Sequence, residues 1–144
     1  MSNSISIFTD GACRGNPGPG GWGVLILLEG EEITLYGGEN STTNNQMEML
    51  AAIKALEYFR EKKSIELVTD SNYLKDGIEK WIHGWKKNGW KTSAKKPVKN
   101  QELWMKIDAL NHFHEVQWKW VKGHSGHREN EIADLLANKG IDEL

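Results

Sequence analysis

The sequence contains a single cysteine, Cys13, so no intramolecular disulfide can form. That fits a reducing cytoplasm and leaves stability to the core. Long hydrophobic runs are also missing. The longest, Val24-Leu25-Ile26-Leu27-Leu28, has the length of a strand and falls far short of a bilayer span. Met1-Ser2-Asn3-Ser4 has no basic region leading into an apolar one, so no signal peptide is read there and no membrane is expected as a partner. The glycine-rich stretch Gly15-Asn16-Pro17-Gly18-Pro19-Gly20-Gly21 has no Gly-Lys-Ser/Thr after it. It runs into a strand pattern rather than a helix, which excludes both nucleotide-binding glycine loops. Without a second cysteine, His124-x-x-His127 and His112-x-His114 complete no tetrahedral ligand set, which excludes a structural zinc.

What is present describes one α/β domain. The 144 residues, 26% charged and 38% hydrophobic, suit one soluble globular domain over 1–144, expected to be a monomer. The net charge of −2 hides an asymmetry. Residues 80–101 hold seven lysines and no acid, leaving 11 basic and 20 acidic residues elsewhere, a net of −9. A basic, tryptophan-rich segment on an acidic body points to contact with a polyanion.

Ile5-Ser6-Ile7-Phe8-Thr9-Asp10-Gly11 reads as a strand that delivers one carboxylate at its C-terminal end. Trp22–Leu28 and Glu32–Gly38 follow as two more strands around a tight turn at Glu29-Gly30-Glu31, an antiparallel meander. Ser41-Thr42-Thr43 with Gln46 reads as a capped helix start, the helix running to about Lys62. Its apolar stripe is Met49, Ala52, Ile53, Leu56 and Phe59, and Glu48 lies beside that stripe among alanines, at a seam with the sheet. Ser64–Ser71 repeats the first strand and also ends in Thr-Asp. Two such strands joined through a helix place Asp10 and Asp70 at one sheet edge; Asp70 could equally cap the helix that follows.

Trp81, Trp85 and Trp90 alternate with the lysines at 80, 86, 87, 91, 95, 96 and 99, on a short helix and then a loop broken at Gly84, Asn88-Gly89 and Pro97. Indoles that stack and lysines that neutralise phosphates suit nucleic acid; indoles buried as core are the alternative. A scaffold helix at Asn100–Asn111, a fifth strand at Glu115–Val121, and a helix from about Glu129 to Lys139 stopped by Gly140 complete the chain. Asp134 in the last helix has small neighbours, as Glu48 does. His124, in a glycine-rich loop beside the proposed site, reads as a proton-transfer group. His83, His112 and His114 are assigned no role.

Four carboxylates at one edge repel one another, by about 1 kcal/mol per pair at 4 Å in water and about 4 near a protein surface. Two divalent cations offset them, and oxygen-only ligands point to Mg²⁺ or Mn²⁺. Two such ions clamp the attacking and leaving oxygens of a phosphodiester displacement.

Phe8-Thr9-Asp10-Gly11-Ala12-Cys13 and the glycine stretch after it, Thr42-Thr43-Asn44-Asn45-Gln46-Met47-Glu48-Met49, Thr69-Asp70-Ser71, the basic Trp segment, Trp120–His127 and Glu129 through Asp134 together resemble the bacterial type 1 ribonuclease H family. The resemblance covers nearly the whole chain, in order. It implies a mixed sheet of three antiparallel and two parallel strands flanked by helices. It implies hydrolysis of the RNA strand of RNA–DNA hybrids, leaving 5′-phosphate and 3′-hydroxyl ends, with two Mg²⁺ held by Asp10, Glu48, Asp70 and Asp134. It implies that His124 assists proton transfer or product release. Cys13, Asn16, Asn44, Asn45 and Gln46 would line the minor groove, where 2′-hydroxyls mark RNA, and Thr43 would hold a DNA phosphate. Asn72 would also contact substrate. Trp81, Trp85, Lys86 and Lys87 would belong to a basic protrusion at about 80–99 that grips the DNA strand. Gln46 and Asn72 stand where arginine and glutamine are frequent.

Overall fold

The computed structural model describes residues 5–122 and 127–144. Five strands form one mixed sheet in the order β3-β2-β1-β4-β5. β1 (Ile5–Cys13), β2 (Gly18–Leu28) and β3 (Glu31–Thr42) are the antiparallel meander. β4 (Ser64–Thr69) runs parallel to β1, and β5 (Glu115–Trp120) parallel to β4. The β2–β3 turn is two residues, Glu29 at φ 50° and Gly30 at φ 82°, the positive-φ pair whose twist matches that of the strands.

The glycine stretch is shorter as a loop than its composition suggests. Gly18, Gly20 and Gly21 are already in β2, with Gly20 paired to Cys13 and Gly21 to Ala12. β1 therefore continues past Asp10 to Cys13, and the carboxylate sits inside the strand rather than at its end.

Helices cover both faces. α1 (Asn44–Glu57) starts at Thr43, whose Oγ1 accepts the Gln46 backbone N–H at 3.2 Å. Its Met49, Ile53 and Leu56 pack with Ile7, Val24, Ile26 and Leu67 of the sheet and with Trp104 and Ile107 of α4 (Gln101–Phe113). α1 ends at Glu57, five residues before the expected Lys62, because a buried histidine takes its last turn. His114 Nε2 donates to Leu56 O at 3.0 Å, and Nδ1 accepts the Lys63 N–H at 3.1 Å.

On the opposite face α5 (Arg128–Asp142) lies against β2, β1 and β3. The approach is close: a Cβ on Gly23 would run into the Ala133 carbonyl, and one on Gly140 into that of Gly37. Gly140 is thus a contact residue inside α5, which runs on to Asp142 rather than stopping there.

Between β4 and α4 the chain is helical over residues 72–87 and then runs as turns to Asn100, with one isolated bridge between Lys91 and Pro97. α2 (Asn72–Asp76) is capped by Ser71, whose Oγ accepts the Leu74 N–H at 3.1 Å. One π-helical turn, Gly77–Trp81, leads into α3 (Ile82–Lys87). Gly84 sits within α3 instead of breaking it; the buried Ile82 and the packed Trp85 hold the turn against a glycine cost of about 1 kcal/mol. Among the described residues no helix is long and apolar enough to cross a membrane.

Candidate active site

The parallel pairing of β1 with β4 ends at Phe8 and Val68. Asp10 and Asp70 are the second residues beyond that pair, so they stand together where the two strands part. Asp10 pairs across β2 with Gly23, whose face is the one α5 covers. Asp134, between the close-packed Ala133 and Ala137, comes from that helix. Glu48 comes from the other layer, from the second turn of α1, and is 4% exposed.

Carboxylate oxygens of Asp10, Glu48 and Asp70 lie within 4.8 Å of one another. With Asp134 they line a cleft of about 380 Å³ that also carries Gly11, Asn44, Asn45, Ser71, Asn72 and Tyr73. The Gly11 N–H donates at 2.9 Å both to Asp10 Oδ1 and to Glu48 Oε1. Among the described residues, no lysine or arginine lines the cleft.

The electrostatics follow. Burial raises the Asp10 carboxyl to about 7, with the charges of Asp70 and Asp134 adding to the rise and the neighbouring Glu48 opposing it. Burial, and then the charge of Asp10, hold Glu48 well above the ordinary carboxylate range. Glu48 Oε2 is buried without a hydrogen-bond partner among the described residues. A buried oxygen left unbonded costs about 1–3 kcal/mol. Clustered anionic oxygens with one of them orphaned fit a divalent cation, and the donor set is the hard-oxygen one that Mg²⁺ and Mn²⁺ prefer. Asp10, Glu48 and Asp70 could hold it.

The remaining expected residues divide into two surfaces. Asn44, Asn45 and Asn72 are exposed at the cleft. Beside them, Asn16 Oδ1 accepts the Asn44 N–H at 3.1 Å, and the Cys13 thiol donates to Gly15 O at 2.7 Å, so both residues also brace their own loop. Thr43 is the α1 cap. Gln46 has both ends of its amide engaged within the protein, by Thr42 and Asn100. The second surface is the basic segment. All seven lysines of residues 80–101 are exposed. Lys80 and Lys86 pair with Asp76 and Asp108 at 3.7 and 3.3 Å, while Lys87 makes no ion pair among the described residues.

The indoles differ among themselves. Trp81 is 38% exposed, whereas Trp85 lies between Trp81 and the fully buried Trp104, with ring centroids 5.8 and 5.7 Å away. The core and nucleic-acid readings of this segment therefore each hold for part of it. His124 lies outside the described residues. Gly11, Tyr73 and Asn100 also stand at these surfaces, without a site role assigned from sequence. Of these, only Asn100, an Asn just before an amphipathic helix, carried a local signal, that of an N-cap.

The RNase H family model matches residues 2–142. A Ribonuclease H of Mesorhizobium japonicum is 62% identical over 141 residues, 98% of this chain and 80% of that protein. Another, of Pseudomonas fluorescens, is 57% identical over 144 residues, all of this chain and 96% of that one. Among solved structures, LC9-RNase H1, a type 1 RNase H with the type 2 active-site motif, superposes with a TM-score of 0.87 at 31% identity over 99% of this chain and 74% of its own. LC11-RNase H1, solved in complex with an RNA/DNA hybrid, gives 0.71 at 29% identity over 97% and 98% of the two chains. With four carboxylates converging on one cleft and a family match across nearly its full length, this chain belongs to the RNase H family.

Proposed function

We infer that the protein is a divalent-metal-dependent endoribonuclease that hydrolyses the RNA strand of RNA–DNA hybrids. The observation that carries this is the convergence of Asp10, Glu48 and Asp70, from three separate elements, within 4.8 Å. Two Mg²⁺ ions, or Mn²⁺ in their place, would supply positive charge on both sides of the scissile phosphate in an in-line displacement. Asp10 lies between Glu48 on one layer and Asp134 on the other and would serve both ions. Water adds to phosphorus as the P–O3′ bond breaks, leaving a 3′-hydroxyl and a 5′-phosphate. His124 would carry a proton or help release product.

Selection of RNA rests on the groove side, where Asn44, Asn45 and Asn72 present exposed amides that can both donate to and accept from 2′-hydroxyls. Cys13 and Asn16 shape that lip, and Thr43 would meet a phosphate of the DNA strand. The segment at about 80–99 is a basic protrusion on which Trp81 packs against the DNA strand while Lys86 and Lys87 meet its phosphates. LC11-RNase H1 bound to hybrid supports that substrate class. On this reading the protein works in the cytoplasm, whose reducing conditions its single cysteine suits, and as a monomer, for which size-exclusion chromatography is the test.

The test is cleavage of end-labelled RNA–DNA hybrid, RNA duplex and DNA duplex with Mg²⁺, Mn²⁺ or EDTA. Cutting of RNA in the hybrid alone, abolished by EDTA and by Asp10→Asn, is expected. Binding without cutting in any metal would overturn catalysis, and cutting of DNA duplex would overturn the substrate class.

A further inference from the structure

Lys86, one of the lysines given to the substrate, already has a partner inside the protein. Its Nζ lies 3.3 Å from Asp108 Oδ2 and 3.5 Å from Oδ1, reaching across from α3 to α4. The carboxylate is the sheltered half of the pair, its side chain 16% exposed against 41% for Lys86. It lines a cavity of about 190 Å³ between the two helices, beside the buried Ile82 and Ile107. Apolar walls on that side strengthen the attraction relative to open water. His112 Nδ1 stands 3.4 Å from Asp108 Oδ1, so the carboxylate keeps a polar neighbour when the lysine swings away. The other paired lysine of the segment, Lys80, meets only the exposed Asp76 one turn away on its own stretch of helix, at 3.7 Å. Lys87, next to Lys86, is exposed and makes no ion pair among the described residues.

We propose that Asp108 is an autoinhibitory counter-ion, a carboxylate of the protein that occupies Lys86 in place of a substrate phosphate. This rests on the hybrid-nuclease reading, in which Lys86 meets the DNA strand. Hybrid gains that lysine only by displacing the Asp108 carboxylate, and the exchange offsets much of what the new phosphate contact contributes. Lys87 meets phosphate with no such exchange. A lysine contact to phosphate carries no sequence information and strengthens binding to polyanions in general. The counter-ion therefore weakens the non-specific part of the grip and leaves the cleft untouched. A purely structural tie between α3 and α4 predicts the opposite sign, since loosening it would disorder the basic segment and weaken binding.

The test is hybrid affinity in EDTA for Asp108→Asn, Lys86→Gln and the double variant. It is read by fluorescence anisotropy at about 0.1 M salt, where exposed charges more than about 10 Å apart are largely screened. Asp108→Asn keeps the shape of the side chain and removes its charge. It is expected to tighten binding about two- to fivefold, the range of a partly exposed ion pair. KM should fall in parallel, with kcat within about twofold. In the Lys86→Gln background the same change should have no effect, because no lysine is left to release. Asp108→Ser must show the same gain as Asp108→Asn, so that the result does not hang on how one replacement packs. Binding that is unchanged or weaker without Asp108 would overturn the counter-ion. So would a gain that persists in the double variant, which is what a general loss of negative charge produces. Cleavage by the parent with Mg²⁺ is read separately: its absence would overturn the nuclease reading alone, while the affinity cycle in EDTA decides the counter-ion.

Discussion

Gly11 and Glu48 touch backbone to side chain and backbone to backbone at once. The Gly11 N–H donates to Glu48 Oε1 at 2.9 Å, and a Cβ on Gly11 would collide with the Glu48 main-chain nitrogen. Strand and helix therefore meet without an intervening side chain, and the buried carboxylate is held from both directions. Gly11→Ala is expected to cost about 1–3 kcal/mol, the usual penalty of overfilling a packed contact. It should also push Glu48 away from Asp10 and reduce the rise in melting temperature that Mg²⁺ produces. Denaturant unfolding with and without Mg²⁺ reads both effects, and an undiminished Mg²⁺ response would contradict the second.

The raised Asp10 carboxyl predicts a pH dependence of stability in the metal-free protein. Unfolded, the group titrates at 3.8; folded, at about 7. The folded state therefore binds the proton more tightly, a contribution complete below the unfolded value and lost as pH rises toward 7. Metal-free protein should lose stability between about pH 4 and pH 7. Asp10→Asn should remove that loss and stabilise the metal-free protein at pH 8 by on the order of 2–4 kcal/mol, while abolishing cleavage. Melting curves in EDTA at pH 5 and pH 8 decide it: a variant no more stable than the parent at pH 8 contradicts the electrostatic account.

Trp81 and Trp85 are one turn apart and yet should fail differently. Trp81→Ala removes a half-exposed ring, so hybrid affinity should fall several-fold with a stability change below about 1 kcal/mol. Trp85→Ala opens a gap against Trp104 and should cost about 2 kcal/mol or more. Anisotropy titrations beside thermal melts separate the pair. Equal effects on affinity and stability in both variants would show that the exposure difference has no functional meaning.

His114 is 3% exposed and holds two main-chain groups, Leu56 O and Lys63 N. His114→Ala strands both in the interior and should cost about 2–4 kcal/mol, with activity per folded molecule unchanged at a temperature well below its melting point. A loss under about 1 kcal/mol would mean that the two groups find other partners.

The legible parts of this chain were those whose cause is local. Alternation at Ile5 and Ile7, the repeated Thr-Asp at 9–10 and 69–70, and the Thr43 cap each follow from neighbours a few residues apart, and they located the cleft. Glu48 was legible because small residues one or two turns on signalled a seam. What sequence could not show depended on partners far along the chain. Gly140 looks like a helix stop until Gly37 is found against it, and Gly84 looks like a break until Trp85 is seen packed on Trp104. His114 looks incidental until Leu56 O, 58 residues away, lies at its ring. Asn100 reads as the start of a helix, and its left-handed backbone and its side-chain bonds to Gln46 and Tyr73, distant in sequence, emerge only in the fold.

The seating of α5 on the glycines of β2 and β3 has a consequence for biosynthesis. Three of the four carboxylates belong to elements that leave the ribosome early, and the meander with α1 has short-range pairings from which to fold. Asp134 arrives on the helix made after every other described element, and it reaches the cleft only once Ala133 and Ala137 have settled against a finished sheet. A nascent chain arrested before Arg128 is thus expected to contain most of a core but to lack the fourth carboxylate of the cleft, and so to fold without cleaving hybrid.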